Sequence, residues 1–190
     1  MPSSLRNYID PITLRIGRSV GKVVRNPNVI TVLGFIIGAA SGPLLMKGMI
    51  TAAAVALLIS GVFDMLDGAV ARALNRVSKA GAFLDSNLDR LVEASLYFGI
   101  GFLMPSIAYL SFLAFAFSVM VSYSRARVEG LAGGSRPKSL EIGERGIRLL
   151  IMILFMILGL IELGLLAVTI LAAETFLERL IIYYRFLKKM

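Results

Sequence analysis

Stretches of about 20 predominantly apolar residues recur along this 190-residue chain, and they constrain its fold more than any other feature. A helix of that length crosses the roughly 30 Å hydrocarbon core of a bilayer. Hydrophobic residues make up 57% of the chain and charged residues only 17%, whereas soluble domains are usually about 25% charged. A single soluble core cannot bury so many apolar segments. The sequence therefore predicts an all-α, polytopic membrane protein.

Turn-forming residues divide the apolar sequence into six predicted transmembrane helices. The breaks contain Pro27, the pair Lys47 and Gly48, Pro105, the loop from Gly133 to Pro137, and Gly164 beside Glu162. The predicted spans are residues 28–46, 50–71, 82–103, 106–124, 147–162 and 163–183. Residues 27–190 are accordingly expected to form one six-helix membrane domain.

Basic residues lie almost entirely on one side of this predicted topology. They precede the first span, follow the sixth, and fill the loops after the second and fourth spans, whereas the opposite loops contain only Lys47. Since short loops rich in Lys and Arg stay in the cytoplasm, both termini are expected to be cytoplasmic. The net charge of +8 then reflects topology and anionic lipid headgroups, and no nucleic acid partner is expected.

Residues 1–26 are predicted to form an interfacial amphipathic helix. Apolar residues alternate there with cations, as in a segment that lies in the plane of the lipid headgroups. The apolar members are Ile9, Ile12, Leu14, Ile16, Val20 and Val23. The segment lacks the compact apolar core of a cleaved signal peptide. It could serve as a topology anchor or shape the entrance for a substrate.

Four aspartates form the most informative constellation. Asp64 and Asp67 are spaced i, i+3 at the end of the second span, and Asp85 and Asp89 are spaced i, i+4 near the start of the third. Those spacings place each pair on one face of its helix, and antiparallel neighbouring spans would bring the pairs together. Each aspartate near the bilayer interior costs up to about 2.5–3.5 kcal/mol. A positive charge must therefore compensate them.

The chain contains neither cysteine nor histidine, so any metal must be held by oxygen ligands and any general base must be a carboxylate or similar group. Four carboxylates are a ligand set that suits Mg²⁺, Mn²⁺ or Ca²⁺. A salt-bridge network between helices and a proton or cation pathway are the alternatives. All four acids are predicted at one side of the membrane, which argues against a pathway.

Small residues accompany these acids. Gly61, Gly68, Ala71 and Gly81 leave backbone open to the close approach of a bulky group, although small residues also serve plain helix packing in membranes. Arg72 follows Gly68 by one turn and is placed for an anionic diphosphate; its alternative role is that of a cytoplasmic anchor.

This stretch resembles the signature of the CDP-alcohol phosphotransferase family at every position. The matching residues read Asp64-x2-Asp67-Gly68-x2-Ala71-Arg72-x8-Gly81-x3-Asp85-x3-Asp89. The resemblance implies that Asp64, Asp67 and Asp85 are ligands to two divalent ions, Mg²⁺ or Mn²⁺, and that Asp89 is a further ligand or the general base. It also implies that Gly68, Ala71 and Gly81 line a cytidine pocket, with Arg72 holding the diphosphate. An alcohol would attack the β-phosphorus of a CDP-linked lipid and release CMP.

The acceptor is suggested by two further segments, residues 122–130 and 143–148. They resemble the branch of the family that uses inositol phosphate, the phosphatidylinositol-phosphate and archaetidylinositol-phosphate synthases. By position, Ser122, Arg125, Arg145 and Arg185 would line a pocket for the acceptor's phosphate. The resemblance implies inositol 1-phosphate and a CDP-lipid, CDP-diacylglycerol or CDP-archaeol, as substrates, and a homodimer as the assembly.

Three other functions stay open at this point. Glycerol 3-phosphate also carries a phosphate and is the nearest rival acceptor, and the loop arginines could serve topology alone. A cation or proton transporter could use the aspartates, but acids near the midplane of several helices are not evident. An intramembrane prenyltransferase would leave the glycine and arginine positions unexplained.

Overall fold

The chain is helical throughout the regular structure that the computed structural model describes, which covers residues 14–139 and 143–190. The helices are α1 (14–21), α2 (Pro27–Ala39), α3 (Ser41–Met46), α4 (Ile50–Ala73), α5 (Lys79–Leu103), α6 (Ala108–Leu131), α7 (Arg145–Ile157) and α8 (Ile161–Leu187). A short 3-10 helix, Pro105–Ile107, joins α5 to α6. Within those ranges the predicted all-α class is confirmed.

Three segments are long and apolar enough to cross a membrane. They are Pro27–Met46, which combines α2 and α3, then Ile50–Ala73, and Pro105–Leu131. The helices α5 and α8 have 25 and 27 residues, but several charged side chains lower their hydropathy, and α7 has only 13 residues. These data support a membrane protein with three span candidates in the described ranges, and the six-span topology stays a prediction.

The break before the last helix lies earlier than predicted. A turn at residues 158–160 separates α7 from α8, and Gly159 adopts a φ of +72° there, a conformation that favours glycine. Gly164, which we expected at the break, lies instead inside α8. Its missing side chain leaves room for Phe155 of α7, because a Cβ at Gly164 would overlap that residue. The glycine serves helix packing, and the predicted boundary was wrong.

The predicted N-terminal interfacial helix is described only in part, because residues 1–13 lie outside the described ranges. Residues 14–21 are helical, with Arg15, Ile16 and Arg18 exposed. Two glycines form the opposite face: Gly17 lies against the backbone of Ala69 in α4, and Gly21 lies against the side chain of Leu74. α1 therefore packs on the end of α4, and its location at a membrane interface stays a prediction.

Side-chain caps fix the starts of α2 and α5. Asn26 accepts a hydrogen bond from the backbone N–H of Asn28 at 3.1 Å, with Pro27 in the first helical position. Ser78 accepts from the N–H of Gly81 at 3.0 Å. Such caps satisfy N–H groups that have no partner inside the helix. Both helices thus begin at defined residues, and α5 begins six residues before Asp85 of the signature.

The core lies between α3, α4, α5, α6, α7 and α8, and α2 lies between α4 and α5. Fully buried side chains such as Leu57, Ile100, Met152 and Leu165 form its centre. α2 packs against both α4 and α5, more extensively than those two helices pack against each other. Many large apolar side chains point outward along the helices, as expected where lipid replaces water. α4 and α5 therefore face each other across a cleft, in which their acids meet.

Candidate metal centre and adjoining cavity

Three aspartates converge where α4 faces α5. One carboxylate oxygen from each of Asp64, Asp67 and Asp85 lies within 4.8 Å of the others. Asp64 and Asp67 share one face of α4 because they are three residues apart, and Asp85 enters from the second turn of α5. The structure thus brings together three of the four aspartates that the sequence singles out.

Asp89 lies one turn further along α5 and has a cationic partner. The Nη1 atom of Arg145 is 2.5 Å from Asp89 Oδ1 and 3.7 Å from Asp64 Oδ2. All four aspartates line the same narrow crevice, but Asp89 is not in the close group of three. The expected fourfold convergence is therefore a triad with an adjacent Asp89–Arg145 ion pair.

The triad fits a hard divalent cation. Its donors are all carboxylate oxygens, which Mg²⁺ and Mn²⁺ prefer. Asp67 is only 8% exposed, and its Oδ2 atom is buried without a hydrogen-bond partner. An unpaired buried carboxylate is costly unless a cation or a set of hydrogen bonds compensates its charge. A divalent ion among these three residues would supply that compensation.

The residues expected to bind the CDP group lie near the aspartates along α4 and α5. Gly68 and Ala71 follow Asp67 on α4, and the Arg72 guanidinium lies over Gly68, 3.2 Å from the position that a Cβ there would occupy. Gly81 is in the first turn of α5, and Asn28 of α2 lies 3.2 Å from its corresponding Cβ position. The sequence analysis did not single out Asn28, although it follows a helix cap at the start of α2.

A large cavity of about 960 Å³ opens beside the triad. Asp64, Asp85 and Asp89 form one wall, and three of the residues expected to hold the acceptor's phosphate, Ser122, Arg125 and Arg145, also line it. The cavity therefore places a cationic surface next to the acidic centre, which is the charge arrangement needed by an anionic substrate approaching a metal site.

The arginine of α8 that lines the cavity is Arg179, whereas the sequence analysis had predicted Arg185. Arg185 is exposed in the last turn of α8 and is not among the described residues that line the cavity, whereas Arg179 lines it. Arg179 is 2% exposed and donates a hydrogen bond to the carbonyl of Val121 at 2.9 Å. An arginine within an apolar stretch is expensive unless it serves a site. That signal could have identified Arg179, which the sequence analysis did not single out.

Glutamates pair with the arginines at and near the cavity wall. Arg125 Nε is 3.3 Å from Glu129, and its Nη1 is 3.7 Å from Glu144 at the start of α7. Arg136 pairs with the same Glu129 at 2.9 Å. These pairs are half-exposed, so each contributes little to stability. Their effect is to fix where the Arg125 guanidinium lies.

An apolar helical bundle with a carboxylate triad beside an arginine-lined cavity defines a class of membrane enzyme that handles phosphorylated substrates with divalent ions. The sequence profile of the CDP-alcohol phosphatidyltransferase family matches residues 24–180. The chain belongs to this family, as its signature predicted.

Several relatives in the family are similar over most of their length. Archaetidylinositol phosphate synthase of Pyrococcus horikoshii is 37% identical over 183 residues, covering 94% of each chain. Phosphatidylinositol phosphate synthase of Mycobacterium bovis is 33% identical over 155 residues, covering 75% of this chain and 71% of the relative.

Solved structures of phosphatidylinositol phosphate synthase (PgsA1) from Mycobacterium tuberculosis have a similar fold. The structure with CDP-DAG bound has a TM-score of 0.76 and 28% identity, covering 92% of this chain and 94% of that chain. The complex with manganese and citrate has a TM-score of 0.79 and 25% identity, covering 90% and 88%. The fold is therefore shared with enzymes whose structures contain a CDP-lipid or a divalent metal.

Proposed function

We propose that the protein transfers a phosphatidyl-type group from a CDP-lipid, CDP-diacylglycerol or CDP-archaeol, to inositol 1-phosphate and releases CMP. The observation that carries this proposal is the meeting of the Asp64, Asp67 and Asp85 triad with an arginine-lined cavity. The names of the similar synthases point to the same pair of substrates.

The CDP-lipid would bind with its diphosphate between the triad and Arg72. Asp64, Asp67 and Asp85 are the residues that would hold Mg²⁺ or Mn²⁺, and the family resemblance implies two ions. When bound, such ions neutralise charge on the diphosphate oxygens and stabilise the leaving CMP. Gly68, Ala71 and Gly81 would leave space for the cytidine, because a side chain at Gly68 would crowd the Arg72 guanidinium.

Asp89 is the proposed general base. Its carboxylate lies between the triad and the cavity, where it can accept the proton of an acceptor hydroxyl. The hydroxyl oxygen then forms a bond to the β-phosphorus as the bond from that phosphorus to CMP breaks. The pairing with Arg145 at 2.5 Å holds the carboxylate in one orientation. Further participation of Asp89 as a metal ligand stays a prediction.

The acceptor's phosphate would bind in the cationic part of the cavity. Ser122 can donate a hydrogen bond, and Arg125, Arg145 and Arg179 supply three guanidinium groups along the wall. A dianionic phosphate next to an acidic centre needs such cations, whereas an uncharged polyol does not. Arg185 stays a predicted contributor that the cavity geometry does not support directly.

Turnover with defined substrates tests this function. Purified protein is incubated with Mn²⁺ or Mg²⁺, CDP-diacylglycerol or CDP-archaeol, and inositol 1-phosphate, and CMP release is measured. Parallel reactions contain glycerol 3-phosphate, free inositol or serine. We expect turnover with inositol 1-phosphate and little with the unphosphorylated acceptors. Preference for glycerol 3-phosphate would refute the acceptor assignment alone, and absence of turnover with every acceptor would refute the enzyme function.

The proposed topology has six spans, with both termini and the active site in the cytoplasm, and the proposed assembly is a homodimer. The distribution of basic residues supports the orientation. Since the chain has no cysteine, single cysteines introduced near each terminus and at Gly159 can be labelled with an impermeant maleimide in intact cells. Labelling at Gly159 but not at the termini is expected. Mass measurement of the protein in detergent tests the dimer.

A further inference from the structure

A buried group of charges lies one helical turn beyond Asp89. Glu93 of α5 is 2% exposed and Arg148 of α7 is 1% exposed. Arg148 Nη2 is 3.0 Å from Glu93 Oε1, and Arg90 Nη1 is 2.5 Å from Glu93 Oε2. Each oxygen of Glu93 thus contacts a guanidinium. The desolvation of buried charges costs about as much free energy as their attraction gains. Net stabilisation of the fold therefore does not account for this group by itself.

Arg148 also fixes the segment that enters α7. Its Nη1 donates a hydrogen bond to the backbone carbonyl of Gly143. Gly143 is buried against Thr175 of α8, and a Cβ at this position would overlap the threonine side chain. The start of α7 therefore packs against α8 on one side. On the other side, the planar guanidinium of Arg148 links it to Glu93 of α5. Arg145 follows Gly143 by two residues.

Arg145 and Arg148 make two successive connections from α7 to α5. They are three residues apart on α7, while their partners Asp89 and Glu93 are four residues apart on α5, so each pair lies on one face of its helix. Glu93 and Arg148 of the inner connection are buried, and Arg148 reaches the wall of the cavity as well. The outer connection, Arg145 to Asp89, faces the cavity and also brings the guanidinium to 3.7 Å from Asp64 of the triad.

We propose that Glu93 and Arg148 are positioning residues that determine how closely the Arg145 guanidinium approaches the aspartates. In that place Arg145 lowers the affinity of the carboxylates for a divalent ion, because like charges repel, and presents its remaining donors to the acceptor's phosphate. The effect on the affinity for a divalent ion is the first part of this inference, and it does not depend on the proposed function. The presentation of donors to the acceptor's phosphate is the second part, and it rests on the proposed function.

Mn²⁺ binding to the purified full-length protein tests the first part. Free Mn²⁺ is measured by its electron paramagnetic resonance signal for the wild type, Arg145→Ala, Arg148→Lys and the double variant. Arg127→Lys, an exposed position on α6, is the matched control. Arg145→Ala is expected to tighten Mn²⁺ binding on the order of tenfold, since it removes a unit positive charge beside the cluster.

Arg148→Lys retains the charge opposite Glu93, but a compact ammonium cannot replace the planar fork that contacts both Glu93 and the Gly143 carbonyl. We expect it to tighten Mn²⁺ binding severalfold as Arg145 withdraws, and to have no further effect once Arg145 is alanine. Arg127→Lys should match the wild type.

Two results would overturn the inference. One is an Mn²⁺ dissociation constant for Arg148→Lys within twofold of the wild type while Arg145→Ala shifts it. The other is a double variant whose effect is the product of the two single effects, since independent, merely structural contributions multiply. If Arg148→Lys does not fold, as judged by circular dichroism, the near-isosteric Glu93→Gln replaces it in the same cycle with the same two refuting results.

Steady-state kinetics test the second part. Arg148→Lys is expected to raise the KM for inositol 1-phosphate about tenfold and to change the KM for the CDP-lipid less than twofold. Equal changes in both KM values would overturn the link to the acceptor. A wild-type protein without turnover would refute the proposed function, while the Mn²⁺ cycle would still decide the role of Glu93 and Arg148.

Discussion

The carboxylate triad predicts that a substitution harmful to metal binding stabilises the metal-free protein. Asp85→Asn keeps the shape of the side chain and removes the only member of the triad that α5 contributes. One of its oxygens lies within 4.8 Å of one oxygen of Asp64 and one of Asp67. Two repulsive pairs between α4 and α5 therefore disappear with one substitution.

The size of the effect follows from Coulomb's law. Two unit charges 4.8 Å apart repel by about 0.9 kcal/mol at a dielectric constant of about 80. The water-like value applies to the pair with Asp64, which faces the open cavity; for the pair with Asp67, which is only 8% exposed, it is a lower limit. Two pairs then give at least about 2 kcal/mol. For a protein of this size, about 1 kcal/mol corresponds to roughly 2–4 °C in Tm, so Asp85→Asn should raise the Tm by about 4–8 °C in the presence of a chelator.

The assay is thermal unfolding followed by circular dichroism in mildly alkaline buffer, where free carboxylates are ionised. The exposed substitution Glu174→Gln on α8 is the control for removal of one negative charge. Adding Mn²⁺ at about a hundred times its dissociation constant should stabilise the wild type by about 2.7 kcal/mol and the variant by much less. The advantage in Tm that Asp85→Asn has over the wild type in chelator should therefore shrink or reverse in Mn²⁺.

A lower Tm for Asp85→Asn in chelator would refute the reasoning about repulsion. Equal stabilisation of both proteins by Mn²⁺ would show instead that the triad is not where the ion binds. The Tm in chelator therefore tests the electrostatic repulsion, and the stabilisation by Mn²⁺ tests the assignment of the metal ligands.

Three other substitutions have defined outcomes. Asp89→Asn should reduce kcat at least a hundredfold, the lower bound for loss of a general base, while the protein still folds; retained turnover would exclude Asp89 as the base. Arg179→Ala should raise the KM for inositol 1-phosphate about tenfold and Arg185→Ala much less; the reverse order in the same assay would contradict the cavity geometry. Gly143→Ala should destabilise the protein by about 1–3 kcal/mol through overpacking against Thr175, with partial recovery in Gly143→Ala/Thr175→Ala; a Tm unchanged by Gly143→Ala would show that this contact is loose.

Local spacing was enough to predict the acidic side of the site. The intervals between Asp64 and Asp67 and between Asp85 and Asp89 fix which face of a helix each pair occupies, and the short connection of α4 to α5 brings the pairs near each other. The apolar composition likewise predicted a helical membrane protein. These features depend on helix periodicity and hydropathy, which are properties of neighbouring residues.

The cationic side depended on long-range packing and was predicted less well. Arg145 meets Asp89 across 56 positions of sequence, and no local pattern specifies that contact. Arg179 and Arg185 differ by six residues on one helix, so they point in different directions, and only the packing of α8 on α6 decides which of them enters the cavity. Gly159 and Gly164 likewise look equivalent in sequence, yet one forms the turn and the other a helix contact.

The contact of α2 with α4 and α5 sets the width of the cleft that holds the acids. At Gly38, a single added methyl group would lie 2.9 Å from Val92 of α5 and against Ser60 of α4. α2 therefore packs between α4 and α5 through the backbone of Gly38. A glycine, which has no side chain, thus helps to set the distance between the two helices that carry the acids. A larger side chain at position 38 would press on Ser60 of α4 and Val92 of α5, and so on the separation of the two helices that carry the acids.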